Sequence, residues 1–392
     1  MSEKKGNLSL LAVWAIGVGG MVGGGIFSTL GVVISSAGHW AALSFVLGGL
    51  VAYATGHSLA ALTVQADEAG GIYTFLRDRK QTTVARFSAW VLLAGYVLTC
   101  AVYAYTFGAY IAHALNGAAW VSPAMAALAI VSMTAINLRG AGQAAGVEIA
   151  IVCAKLVILA LLAAYGLSQF DAGKLEIPQQ PGLIGIVVGA ASVFMAYEGF
   201  ELLAYDYDDM EDRKATMRRV MPFAIGSAAV IYVLVCLAVP MLTGTKAVIE
   251  NGEVALSLAG KQAAGTAGLL FVTVAAALST ASAINATLFS SARLAREVAN
   301  DDALPKAMGK INGEGSPYFA VLTIAVLALT LALAGGLDGL VSGASVVFLL
   351  VFGTVNALAW KENVGKRFIT MPGTIGAFAA LAVLLAHFAG LI

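Results

Sequence analysis

Lys155 is the one basic residue in an apolar run of twenty-one, Val147–Leu167 (VEIAIVCAKLVILALLAAYGL). That run matches the ~20 residues a helix needs to cross a ~30 Å hydrocarbon layer. At ~1.5 Å of rise per residue the lysine lies ~12 Å in, near mid-membrane, too deep for its stem to reach water. A charge at that depth costs a few kcal/mol and normally faces a polar interior where it has a function. It is a candidate proton carrier, because burial and neighbouring groups decide whether it keeps its proton. The plainer reading is a lysine tied to backbone carbonyls for structure alone.

Two further groups of residues could act with it. Gly17-Val18-Gly19-Gly20-Met21-Val22-Gly23-Gly24-Gly25 holds six glycines in nine positions, and glycine is the poorest ordinary helix former, so this span is expected to unwind. An outer half-helix starting at Gly23–Gly25 would aim N–H groups at the membrane centre, a seat for a carboxylate. Carbonyls of Ile16–Gly19, ending the inner half, would accept an ammonium. Donors and acceptors so close suit a zwitterion, the backbone of an amino acid. Gly19-x-x-x-Gly23 is equally a helix-packing motif, whereas a dinucleotide fingerprint is not met.

The second group is Ala196-Tyr197-Glu198-Gly199-Phe200-Glu201, two carboxylates and a glycine inside another apolar run. Met195, Ala196 and Tyr197 would supply carbonyls that complete the ammonium site. Glu201 would stand in the first turn of the following half-helix, favoured there by the dipole alone or serving coupling. Ser279, Thr280, Ser282 and Asn285 could hydrogen-bond an ammonium such as Lys155, although membrane serines commonly bond their own helix. His39, His57, His113 and His387 are scattered without metal-ligand spacing, and no nucleophile–base pair or HExxH pattern occurs. No metal, cofactor or enzyme chemistry is expected.

The chain that must position these residues is 60% hydrophobic and 11% charged with zero net charge, and its mean hydropathy is +0.88. This is an all-α membrane protein, and nothing suggests a nucleic-acid partner. Cys100, Cys153 and Cys236 all lie in apolar runs, so no disulfide framework is expected. The start, MSEKKGNLSLL, is basic without a small-residue cleavage site and reads as a retained cytoplasmic segment.

Eleven transmembrane helices are expected, near 8–36, 40–65, 82–115, 120–137, 147–167, 183–207, 220–242, 263–299, 317–334, 340–360 and 372–391. With the N-terminus cytoplasmic and the C-terminus external, eighteen of the 22 Lys and Arg, from Lys4 and Lys5 to Arg367, fall on the cytoplasmic side. Lys174, Lys246 and Lys261 fall outside, which satisfies the positive-inside rule. Interruptions in spans one and six, five apart and so antiparallel, imply a 5+5 inverted repeat: 8–167, then 183–360, with 372–391 as one extra helix. The whole forms a single transporter domain.

These residues resemble the amino acid–polyamine–organocation transporter superfamily over about residues 8–360. GGMVGGGIF resembles its glycine-rich first helix, GGIYTFLRD (70–78) its first cytoplasmic loop, Asn137-Leu138-Arg139-Gly140 the step before span five, AYEGFE (196–201) the broken sixth helix, and LSTASAINATLFSSARL with DDALPKAM span eight and its exit. Glu68 and Ala69 stand where a proline is frequent, and Asp302 replaces a common glycine. The resemblance implies the leucine-transporter-type fold, with substrate between spans one, three, six, eight and ten. It implies that Lys155 fills the volume of a sodium site, bridging the Gly19 and Gly20 carbonyls to Ser279 and Ser282. Met195, preceded by Phe194, takes the place of the gating aromatic. Ile16, Gly17, Gly19, Met21, Gly23, Gly24, Gly25, Phe194, Met195, Ala196, Tyr197 and Phe200 form the expected substrate site. Lys155, Ser279, Ser282, Gly20 and Glu201 form the coupling set. The expected function is secondary active amino acid transport in the cell membrane, by proton symport or exchange. The alternative is an exchanger or uniporter of polyamines or other small organic cations.

Overall fold

The computed structural model describes residues 8–140, 145–175 and 182–392; Lys4 and Lys5 lie outside them. The described residues form a helical bundle, and nine segments of it are long and apolar enough to cross a membrane. Helix α1 (Leu10–Ala37) starts under a Ser9 cap and ends at Gly38, whose φ of 59° lets its N–H return to the Ile34 carbonyl. A 3-10 turn, Gly38–Trp40, leads into α2 (Ala41–Ala66). Then follow α3 (Gly71–Asp78), α4 (Thr82–Ala114), α5 (Val121–Leu138) and α6 (Ala145–Ser168), which carries Lys155.

The next crossing is divided. Helix α7 (Leu183–Ser192) passes into a 3-10 segment, Val193–Tyr197; Glu198 is extended, Gly199 has φ 116°, and a second 3-10 segment, Phe200–Ala204, continues. The chain resumes as α8 (Arg213–Thr243), α9 (Thr245–Glu250), α10 (Ala255–Asn300), α11 (Tyr318–Ala334), α12 (Leu337–Lys361) and α13 (Arg367–Phe388). Helix α10 is kinked at Ala264 and Gly265, so its straight part begins close to the expected start of that span.

One expectation is overturned. Helix α1 is α-helical throughout, and none of the glycines from Gly17 to Gly25 has positive φ. N–H groups of Gly23–Gly25 therefore lie inside a helix, so they do not form a free carboxylate seat, and the backbone does not end a half-helix at Ile16–Gly19. Helix α1 runs through the middle of the bundle, packed by α6, α7, α8, α10 and the 3-10 segment Val193–Tyr197. Its glycines permit that approach. Gly20 meets the Gly199 backbone, where an added Cβ would lie 3.0 Å from the Gly199 oxygen, and at Gly24 a Cβ would fall 2.0 Å from the Tyr103 ring.

Candidate functional site

The bundle centre is polar where α1, α6 and α10 meet. Lys155, 2% exposed, donates its Nζ–H to the Gly19 carbonyl at 3.0 Å. Glu148, two helical turns earlier on α6, is also buried. Its Oε2 accepts from the Ser282 hydroxyl at 2.8 Å, and its Oε1 lies 2.4 Å from where a Cβ on Gly19 would stand. The two α6 side chains thus converge on one residue of α1. Ser279 differs from its expected role: its buried hydroxyl has no hydrogen-bond partner among the described residues. Thr280 bonds its own helix at the Ala276 carbonyl.

The divided crossing replaces its lost helical bonds with side chains. The Met195 N–H donates to Ser345 Oγ at 3.0 Å, Tyr232 OH donates to the Ala196 carbonyl at 2.7 Å, and the Gly199 N–H donates to Glu201 Oε2 at 2.9 Å. Tyr197 is anchored on the Phe45 carbonyl at 2.7 Å, and Tyr103 OH donates to Glu198 Oε2 at 3.1 Å. The Ala196 carbonyl, expected to receive an ammonium, is therefore already engaged. Phe194 and Phe200 each pack on Phe352 of α12, with ring centroids 6.0 and 5.2 Å apart. Met21 is fully buried in α1, and Gly23 and Gly25 face Ala283 and Ala196.

A cavity of about 370 Å³ reaches this centre from the end of the bundle where α1 begins. Its inner wall includes Ile16, Gly19, Glu148, Ser282 and Asn285, and its mouth Leu8, Asp206 and Arg293. Leu8 pairs in a two-residue bridge with the chain at Met210, and Arg293 and Asp206 face each other at 3.8 Å. The same end gathers Arg77 with Glu297 at 2.8 Å, Arg213 with Asp208 at 2.8 Å and Lys214 with Asp67 at 3.0 Å. The Lys214 ammonium bonded to Asp67 holds that carboxyl below its usual range.

Residues 8–392 match the family model described as amino acid permease. The chain belongs to the amino acid permease family. This permease is 30% identical over 373 residues to the inner membrane transport protein YbaT of Escherichia coli, covering 92% of this chain and 85% of that one. It is 24% identical over 357 residues to the serine/threonine exchanger SteT of Bacillus subtilis, covering 89% and 81%. A solved manganese transporter of Eremococcus coleocola shares the fold, with TM-score 0.64 and 15% identity over 98% of this chain and 90% of that one. The permease is a multi-pass membrane transporter, and the relatives just described are named as a transport protein, an exchanger and a transporter.

Reading the sequence residue by residue misses Glu148 in this permease, although its spacing carries a signal. Seven residues at 100° per residue fall 20° short of two full turns, so Glu148 and Lys155 share a face. The same spacing marks Tyr96, Tyr103 and Tyr110 on α4, all fully buried. Their hydroxyls reach Tyr205, Glu198 and the Phe27 carbonyl at 3.4, 3.1 and 3.2 Å. Asn137 joins Asn285 across α5 and α10 at 2.7 Å, a pairing of residues far apart in the chain that no local pattern announces.

Proposed function

We propose that this permease is a secondary active amino acid transporter, driven by protons or by exchange, with Lys155 as its coupling group. The observation that carries the reading is the bond from Lys155 Nζ to the Gly19 carbonyl. It ties α6 to the central helix at the inner end of a cavity, so gain or loss of one proton changes how firmly α1 is held. The serine/threonine exchanger among the relatives supports both the substrate class and the exchange mode. Substrate sits where the glycine face of α1 meets residues 193–204, beside Tyr103, with Ile16, Gly17, Met21, Phe194 and Phe200 around it. Glu201 and Ser279 belong to the coupling region.

Eleven crossings follow if the 57-residue segment Leu10–Ala66 counts twice and the shorter helix Tyr318–Ala334 once. At ~1.5 Å per residue, 57 residues far exceed one ~30 Å layer, and the turn at Gly38–Trp40 supplies the reversal. Two sets of five, 8–167 and 183–360, and a final helix at 372–391 complete the plan. The end gathering Arg77, Arg213 and Arg293 is cytoplasmic under the positive-inside rule, so the cavity opens inward.

Uptake of labelled amino acids by proteoliposomes, with and without a pH gradient, tests the reading. Wild type is expected to accumulate at least one amino acid, under an inward proton gradient if protons drive it or against unlabelled internal amino acid if it exchanges, equally in sodium and in choline. Sodium is not needed because an ammonium already occupies its charge position and would repel a second cation. Lys155→Ala is expected to abolish accumulation. Retention of both rate and pH response by that variant would remove Lys155 from the mechanism.

A further inference from the structure

We propose that Glu148 is the proton relay between Lys155 and the cavity. The inference rests on the coupling role assigned to Lys155 above and goes beyond it by naming the exit. Lys155 does not line the cavity, whereas Glu148 does. Both reach Gly19 from the same face of α6, one at its carbonyl and one against its Cα. Glu148 is thus the ionisable group of α6 that reaches the cavity from the lysine's own face of the helix.

The step balances without any further reactant. An N–H bond of the ammonium breaks and an O–H bond forms on Glu148, with water carrying the proton across the gap between them, turning an ammonium and a carboxylate into a neutral amine and acid. Glu148 then gives the proton to water in the cavity and is again a carboxylate. The Ser282 hydroxyl, donating to Oε2 at 2.8 Å, steadies the anion, and Oε1 is left on the Gly19 side to take the proton. In the low dielectric of the bundle the first transfer removes two opposite charges together, and the carboxylate left after release is held by Ser282 and faces the cavity it lines.

Other ionisable groups stand on the packed elements. Helix α1 has none. Helix α8 has Arg213, Lys214, Arg218 and Arg219 near its start and the buried Tyr232 and Cys236 further on. Helix α10 has Lys261, Arg293, Arg296 and Glu297. Among the described residues, only Asp206, Asp209 and Arg293 share the cavity with Glu148 as charged groups; they sit at its mouth, where the two carboxylates can take a proton from water and Arg293 stays a cation.

The test compares Glu148→Gln and Glu148→Asp with wild type in proteoliposomes, reading pH-driven accumulation and the counterflow of labelled against unlabelled amino acid, which moves no net proton. Glu148→Gln is expected to lose roughly 10²-fold in pH-driven accumulation, the scale of a missing proton-transfer group, with a flattened pH profile and a far smaller fall in counterflow. Glu148→Asp is expected to recover the pH dependence. Glu148→Gln with the wild-type profile overturns the relay and leaves Lys155 coupling standing. Equal loss of counterflow and drive in both variants makes Glu148 a structural tie and also overturns it. Wild-type protein that exchanges but ignores a pH gradient overturns the coupling reading together with the relay.

Discussion

Helix α1 and the crossing that begins with α7 form an instructive pair. The first has six glycines in nine positions and stays helical; the second has one glycine, Gly199, at its break and does not. Six glycines weaken a helix by about 6 kcal/mol relative to alanine, at ~1 kcal/mol each. Unwinding in a dry interior would leave several N–H and C=O groups unpaired at several kcal/mol apiece, so the helix wins. The second crossing opens because Ser345, Tyr232 and Glu201 are in place to take over its backbone groups. Glycine content therefore marks where neighbours come close, and the break lies where side chains substitute for the lost helical bonds.

The largest expected effect comes from closing that approach on α1. Gly24→Val would drive a branched side chain into the Tyr103 ring, 2.0 Å from the first added carbon. A loss of roughly 3 kcal/mol or more follows from overpacking at such a contact, seen as little monodisperse protein after extraction. The same valine at Gly226 of α8, where nothing lies within 4 Å, controls for helix propensity and is expected to be far milder. Equal behaviour of the two would show that propensity, not proximity, explains the glycines.

Gly199→Ala ranks next. A Cβ at φ 116° is strained, worth about 1–3 kcal/mol, and would approach the Gly20 carbonyl carbon to 2.6 Å. A lower melting temperature with reduced uptake is expected; unchanged melting would mean that the turn does not need glycine. The smallest change, Tyr232→Phe, removes the donor to the Ala196 carbonyl and should destabilise by about 1–3 kcal/mol, the penalty for a buried unpaired group. If Tyr232→Phe melts like wild type, water or another donor fills the place, and side-chain substitution is not what keeps this crossing open.

Hydropathy determined the membrane class and the order of motifs the family, because each is written along the chain over twenty or more residues, which no packing detail can reverse. Lys155 was legible for the same reason, as one cation in an apolar run. The sequence also showed that Gly17–Gly25 and Ala196–Glu201 are special, but local propensity could not say which would unwind. That depended on Tyr103, Tyr232 and Ser345, residues brought from three other helices. Glu148 is legible only by its spacing of seven from Lys155, a weaker signal than a lone cation. Its meeting with Ser282, and the engagement of the Ala196 carbonyl by Tyr232, join positions 134 and 36 residues apart. Hydrogen bonds act over about 3 Å in space with no reference to separation along the chain, so only the folded bundle could decide them.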